Sequence, residues 1–595
     1  MRGRRAQRKK IAGRGGEVPF FERDIAGHCA FIVSVKGLLV AGCLALLPVV
    51  VFGQEQFVPA VENESFQSAL PFGGNQPVIE GDDNEVLVPA VSRLVVAATG
   101  SEPTTVSGVS FAGLTVANQE ALRSSLEVFL ERPLTEKSLL ILTELIVSHY
   151  EKNDRPVVDV WVPAQEEVDP QTLLVQVVEG KVGQVQLRES QYFKASLLAP
   201  ALRAESGRLL RSRDLTATTT WLSRNPFRKA DLFVAAGAGK GEADLVFAFE
   251  EKRPWQVYIG YENTGTEATG ENRFLLGGVW GNGLNRDHVI AYQATLGTDL
   301  AQFQAHGLSW EIPLHRRHEF IRLTSSWAEV SSESTTSLGA TEIEGSSFQV
   351  GFHYGRQLIL NDWQGEVSGG IEFKRSDTFL TFSDFAAFSS DSPVEVVQFR
   401  LNALLRKPAQ TASDWSTELR ASLVASPGGL SGRNDDEDFA AYRAGAESSY
   451  FYLRGNGQWS RAWKDWTILI RAEAQLASGA LLPSEQLGLG GLRTVRGYRE
   501  REFLADSGWW GSLEARSPAW SGNFWQKELS AQGLLFSDHG LTWRENEDSE
   551  QLLSLGVGAR IQWGNATLRA DLGVPLIEGD AGNDPRAHLG LSYRW

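Results

Sequence analysis

The residue types best suited to catalysis or metal binding are present, but their spacing assembles no reactive site. The nine histidines are spread thinly, and His315 and His318, three apart near a turn, have no carboxylate at ligand spacing. The glycine-rich run Gly488–Gly491 lacks the lysine of a phosphate-cradling loop. No serine stands in a nucleophile-elbow context. Both cysteines, Cys29 and Cys43, lie in a hydrophobic leader, so the processed chain would have no thiolate ligand, thiol nucleophile or disulfide. This pattern argues against an enzyme, a metal centre and a cofactor.

The surrounding elements point to a membrane instead. A basic stretch (Arg2, Arg4, Arg5, Arg8, Lys9, Lys10, Arg14) precedes the apolar run Gly37–Phe52, and polar Gln54-Glu55-Gln56 follows Gly53. That order reads as a secretory signal peptide over 1–53; Lys36 and Pro48 and the short run argue against a retained anchor helix. Nine Lys/Arg and three Asp/Glu fall in 1–53, which leaves 48 against 70, a balance of −22. Such acidity disfavours nucleic acid as a partner. The sequence contains no second hydrophobic helix, so a membrane-embedded chain has to be a closed barrel, whose backbone groups are satisfied between strands.

Residues 54–90 are polar, acidic and aperiodic, and read as a linker; the option of a plug helix there comes only from the family resemblance that the later motifs carry. Over 91–181 the spacing predicts a strand (Val106–Phe111), two helices (116–130 and 135–150) and two strands (157–162 and 173–178). Over 182–253 the same βααββ order returns, with strands at 182–187, 230–235 and 244–250 and helical spacing at 193–202 and 213–224. These are two tandem copies of one small α+β module. From 254 to 595 the period becomes two. Trp255, Val257, Ile259 and Tyr261 alternate with Gln256, Tyr258, Gly260 and Glu262, and Leu589, Leu591, Tyr593 and Trp595 close the chain in the same way. Sustained apolar-out, polar-in alternation is the membrane-barrel signature. Division at the Gly/Asn/Asp/Ser-rich breaks gives about sixteen antiparallel strands starting near 255, 272, 287, 302, 318, 346, 362, 393, 413, 447, 464, 507, 527, 549, 565 and 586. The long breaks fall at 378–392, 427–446 and 478–506. A soluble sandwich or propeller also alternates, but the leader, strand length and terminal Trp favour the barrel.

Several motifs, in order, carry a resemblance. Val162-Pro-Ala-Gln165 followed by Leu174–Gly180 is similar to the end of a first POTRA domain, although Arg155-Pro156 replaces the usual Gly-Tyr. Asn263-Thr-Gly265, then Gly270 and Gly283–Asp287, resembles the opening hairpin of a transporter barrel, and Ser309-Trp-Glu-Ile-Pro-Leu314 resembles its Ser-Tyr-x-x-Pro-Leu element. Val495-Arg496-Gly497-Tyr498 matches the tip of that family's inward-folded loop, and Phe536, Asp538 and Gly540 match its Phe-x-Asp-x-Gly strand. Residues 91–595 thus resemble the two-partner secretion transporters (TpsB), the haemolysin-activator and filamentous-haemagglutinin-exporter type, relatives of the BamA insertases.

The resemblance implies that loop 478–506 enters the lumen and that Arg496 pairs with Asp538 on the wall. The residue types suit that role: a glycine for the turn, a guanidinium for a bidentate pair, and in Tyr498 a ring and hydroxyl to pack. It further implies POTRA domains in the periplasm that capture a client by adding it as a strand to an exposed edge, with Val160, Val162, Gln165, Val175 and Val177 as candidate contacts. The expected function is export of an unfolded partner protein with an N-terminal secretion region through the outer membrane. An insertase of other barrels and a passive porin are the alternatives. Outer-membrane lipid, and the barrel-assembly machinery during biogenesis, are the other expected partners.

Overall fold

The computed structural model describes residues 86–595 except 89, 102–105, 164–170, 267–268, 337–338, 383–392, 410, 412–413, 545–548 and 581. The expected leader (1–53), nearly all of the expected linker with its optional plug helix (54–90), Cys29, Cys43 and Gln165 lie outside the described residues.

Ahead of the barrel, strand β1 (Val86–Val88) pairs with the short β4 (Leu134–Thr135). The main sheet of this region contains β2 (Arg93–Ala98), β3 (Gly108–Ala112), β5 (Val158–Trp161) and β6 (Thr172–Glu179), in the order β3–β2–β6–β5. Helices α1 (Gln119–Leu126) and α2 (Glu136–Lys152) cover it. Helix α2 starts where the Thr135 hydroxyl accepts from Ser138 N–H, and it buries Leu142, Ile146 and Tyr150, one face at i, i+4, i+8. Strand β2 was not among the sequence expectations. It lies parallel to both β3 and β6, and Leu94, Val95, Val96 and Ala97 are all buried, so it shows a short apolar run rather than alternation.

The next region consists of β7 (Lys181–Leu187), α3 (Ala195–Leu198), α4 (Ser212–Leu222), β8 (Arg228–Ala236) and β9 (Glu242–Glu251), with β9 central in the sheet β7–β9–β8. Its core does not close on itself. Trp221 and Phe227 pack in one cluster with Val279, Ala291 and Phe320, which belong to the barrel.

The barrel runs through β10 (Trp255–Glu262), β11 (Arg273–Gly283), β12 (His288–Leu296), β13 (Phe303–Leu314), β14 (Glu319–Thr336), β15 (Gly339–Leu360), β16 (Trp363–Phe382), β17 (Val394–Lys407) and β18 (Trp415–Pro427). Helix α5 (Asp436–Tyr442) occupies the next outer loop. Then follow β19 (Ser449–Trp463), β20 (Trp466–Ala477), the loop hairpin β21 (Leu487–Leu489) and β22 (Phe503–Ala505), β23 (Ser507–Arg516), β24 (Trp520–Phe524), β25 (Lys527–Trp543), β26 (Glu550–Trp563), β27 (Ala566–Pro575) and β28 (Arg586–Arg594). Closure is antiparallel, with Tyr258 opposite Arg594 and Glu262 opposite Gly590. Strands β23 and β24 pair in succession with the same side of β25 and fill one place in the wall, which makes 16 antiparallel strands.

Strand starts agree with the period-two reading to within two residues except for β15, which begins at Gly339 instead of 346. There the β14–β15 hairpin continues into polar sequence, where apolar alternation no longer marks the strand. No helix among the described residues is long and apolar enough to cross a membrane. The exposed apolar side chains of the strands, such as Val257, Ile259, Phe352 and Leu591, form the outward band instead.

Candidate functional site

Between β20 and β23 the chain leaves the wall, makes the β21–β22 hairpin and carries residues 490–502 as its tip. Arg496 is fully buried there. Its Nε donates to Asp538 Oδ2 at 2.7 Å and its Nη2 to Oδ1 at 2.8 Å, a bidentate pair with a strand of the wall. Nη2 also reaches Ser512 Oγ at 3.0 Å, Nη1 lies 2.9 Å from Glu514 Oε1 and 3.7 Å from Asp571 Oδ1, and the Arg496 N–H donates to Asp538. The guanidinium carbon lies over the Phe536 ring, 3.5 Å from its centroid.

The rest of the motif explains the fit. Val495 and Tyr498 pack with Leu487, Leu489, Trp510 and Leu552. The Tyr498 hydroxyl lies 2.8 Å from the Leu553 carbonyl and 2.7 Å from that of Ile577. Gly540 leaves the space taken by Leu489 and Val495, since a Cβ there would lie 2.8 and 3.1 Å from them. Gly497 has φ +97°, and its N–H donates to His588 Nε2 at 3.0 Å.

Four wall residues were not found from sequence: Ser512, Glu514, Asp571 and His588. Gly573 is a fifth, because the loop backbone at Gly497 passes against it. A Cβ on Gly573 would lie 2.5 Å from Gly497 N and 2.6 Å from its Cα, both backbone atoms that cannot swing aside. Gly573→Ala is therefore expected to destabilise the seated loop by about 1–3 kcal/mol. Gly590→Ala, whose Cβ would have its nearest neighbour at 3.7 Å, serves as the neutral control. Protease sensitivity of the loop in whole cells reads the difference.

The root of the loop has its own attachment. Phe439 of α5 packs with Leu481 and Leu482, and Arg443 holds Asp506 through both oxygens, Nη2 to Oδ2 at 3.0 Å. Burial raises the Asp506 pKa, and the hydrogen bonds from Arg443, Leu481 and Gln486 outweigh that and leave it lowered. Glu485 is bound by Lys374 at 2.6 Å and by the Tyr452 hydroxyl at 2.8 Å.

A second cluster joins the periplasmic region to the barrel. Arg228 binds Asp287 through two 2.9 Å contacts, and Asn225 donates to the same carboxylate at 2.7 Å. Arg224 reaches Glu311 at 2.7 Å and also contacts Glu366. His315 and His318, which sequence left without a role, belong here: Trp221 Nε1 donates to His315 Nδ1, and His318 stacks on Trp221. Burial holds the His318 pKa down to about 4, and burial lowers His315 too. A free histidine titrates near 6.5, so the separated state takes up protons first as pH falls. Docking is expected to be intact above pH ~6.5 and to weaken progressively towards pH ~4. Tryptophan fluorescence against pH, with His318→Gln flattening the profile, checks this.

The proposed client contacts divide. Val160, on the edge strand β5, and Val162 just beyond it are half-buried, with their side chains against the module core. Val175 and Val177 are a correction. Strand β6 is flanked on both sides by β2 and β5, and both side chains are fully buried in the core, so a client cannot touch them. Among the described residues the backbone edge at β5 remains open.

With this geometry in view, comparisons with known proteins are specific. A family model described as haemolysin secretion/activation protein ShlB/FhaC/HecB matches residues 241–561. The heme/hemopexin transporter protein HuxB of Haemophilus influenzae is 27% identical over 193 residues, 30% of this chain and 34% of that protein. The matched stretch thus spans about a third of that relative's length. CdiB from Escherichia coli aligns with a TM-score of 0.69 at 16% identity, covering 96% of this chain and 99% of that one. CdiB from Acinetobacter baumannii gives 0.63 at 13%, covering 97% and 100%. At these identities the structural likeness speaks for the fold: a barrel preceded by α+β domains.

Proposed function

The chain belongs to the haemolysin secretion/activation family of outer-membrane transporters, and from that premise we propose that it exports an unfolded partner protein from the periplasm to the cell surface. The observation that carries this reading is the inward loop, seated in the barrel by the buried Arg496 contacts, which a client would have to displace or reshape. The open backbone edge of β5 supports capture of an extended client by main-chain pairing, with little demand on client sequence. Folding of the client outside would then favour forward movement without nucleotide. Residues 91–181 and 182–253 act in this reading as two POTRA-like domains, and 254–595 as the pore.

Co-expression with a large secreted protein encoded beside this gene, followed by assay of the medium, tests the proposal. The client is expected in the medium only with the intact chain, and deletion of residues 91–180 is expected to leave an assembled barrel that retains the client inside the cell. A general fall in other outer-membrane barrels on loss of this chain, with client export unchanged, would favour the insertase reading instead.

A further inference from the structure

The joint between α4 and the barrel carries three arginines with no role in the loop or in docking. Arg203 precedes α4, Arg213 lies in its first turn and Arg356 stands on β15. Together with Leu358 and Ile359 they line a cavity of about 220 Å³ between the second module and the barrel wall. All three arginines are exposed, and among the described residues no hydrogen bond or ion pair engages their guanidinium groups.

The nearby carboxylates are few or engaged elsewhere. Glu205 pairs with Arg208 at 2.8 Å. Glu319, opposite Arg356 in register, lies 4.0 Å from Arg317 and bonds the Tyr354 hydroxyl. Asp214 offsets Arg203, whose charged form is disfavoured by partial desolvation and by the nearby Arg356 and Arg213. Asp154 accepts the Arg213 backbone N–H at 2.7 Å, and with Asp214 it leaves three guanidiniums facing fewer carboxylates, an excess of positive charge that favours an anion between them.

The position says which anion. Arg356 continues the outward face that carries Phe352 and Tyr354 above it and Leu360 below, and its cross-strand partner is the first residue of β14. The cluster therefore sits where the apolar band ends on the periplasmic side, the depth at which an outward arginine is tolerated. Planar guanidiniums suit phosphate oxygens, and the adjacent Leu358 and Leu360 suit an acyl chain.

We propose that this cavity binds the phosphodiester headgroup of an anionic glycerophospholipid from the inner leaflet of the outer membrane, bridging Arg203 and Arg213 of the periplasmic module to Arg356 of the barrel. The lipid would act as a removable tie between module and wall.

Full-length protein in nanodiscs of phosphatidylcholine doped with phosphatidylglycerol, examined by native mass spectrometry, tests this. The wild type is expected to retain phosphatidylglycerol over phosphatidylcholine by about tenfold or more, and the Arg203→Gln/Arg213→Gln/Arg356→Gln variant to fall close to parity. Because these side chains are exposed, the variant barrel is expected to assemble, and a heat-shifted gel band verifies it. Should the triple variant not assemble, single Arg213→Gln is expected to lower the preference by about threefold. Equal retention of the two lipids by the wild type, or an unchanged preference in the variants, overturns the proposal. Displacement of the lipid by an equal concentration of inorganic phosphate assigns the cavity to a free anion and overturns the lipid reading.

Discussion

Arg496→Ala is expected to abolish export of the client while leaving an assembled barrel in the outer membrane. The wall carboxylates around Arg496 do not depend on it equally. Glu514 keeps Arg471 at 3.0 Å and Arg516 at 2.8 Å, and Asp571 keeps Arg560 and Arg569, each at 2.9 Å. Asp538 has no other side-chain cation within bonding distance among the described residues, and it is fully buried. Removing the guanidinium strands that charge at a cost of about 3–5 kcal/mol. A penalty of that size shifts the seated loop against alternatives by roughly 10²–10⁴-fold. The cross-strand ladders that close the barrel involve none of these atoms, so folding of the wall is spared. Arg496→Lys restores charge without the two-pronged contact or the guanidinium over the Phe536 ring, and is expected to recover part of the activity. Client in the medium, heat-modifiability and loop proteolysis are the three measurements. Normal export by the alanine variant would sink the idea that a seated loop is needed.

Arg228→Ala should have the second largest effect, at the joint between the periplasmic region and the barrel. Arg228 and Asp287 are almost wholly buried and joined twice, and Asn282 Oδ1 accepts the Asp287 N–H at 3.0 Å, which fixes the turn carrying the carboxylate. The alanine variant leaves Asp287 with Asn225 and a 3.4 Å approach from His315. A loss of about 3–5 kcal/mol is expected for the docked state. Faster tryptic cleavage near Lys252 and Arg253 and a lower melting temperature of the periplasmic region report it, with the barrel transition unchanged. Unaltered cleavage would mean that the apolar contacts of Trp221 and Phe227 with Val279, Ala291 and Phe320 hold the joint unaided. Because Arg224 also binds two barrel carboxylates, combining Arg224→Ala with Arg228→Ala is expected to separate the two parts further.

The barrel and its strand positions were legible in the sequence because side-chain alternation is local: each strand announces its two faces by itself. The Arg-Gly-Tyr tip and the Phe-x-Asp-x-Gly strand were legible because both are short contiguous motifs. Strand β2 was hidden by burial on both faces, and with it the central place of β6, which is why Val175 and Val177 read as surface contacts when they are core. The polar partners of Arg496 other than Asp538 were beyond reach for a different reason. Ser512 and Glu514 meet the guanidinium that Asp538 holds only because β23 and β25 pair in a particular register, and Asp571, Gly573 and His588 arrive from strands further round the wall. The Arg228–Asp287 pair and the stacking of His318 on Trp221 likewise join residues far apart in the chain. Sequence alone thus determined which residues face inward, and through its motifs which loop enters the barrel. Only the closed tertiary structure decided which inward charge meets which, because register and closure are set by all the strands together.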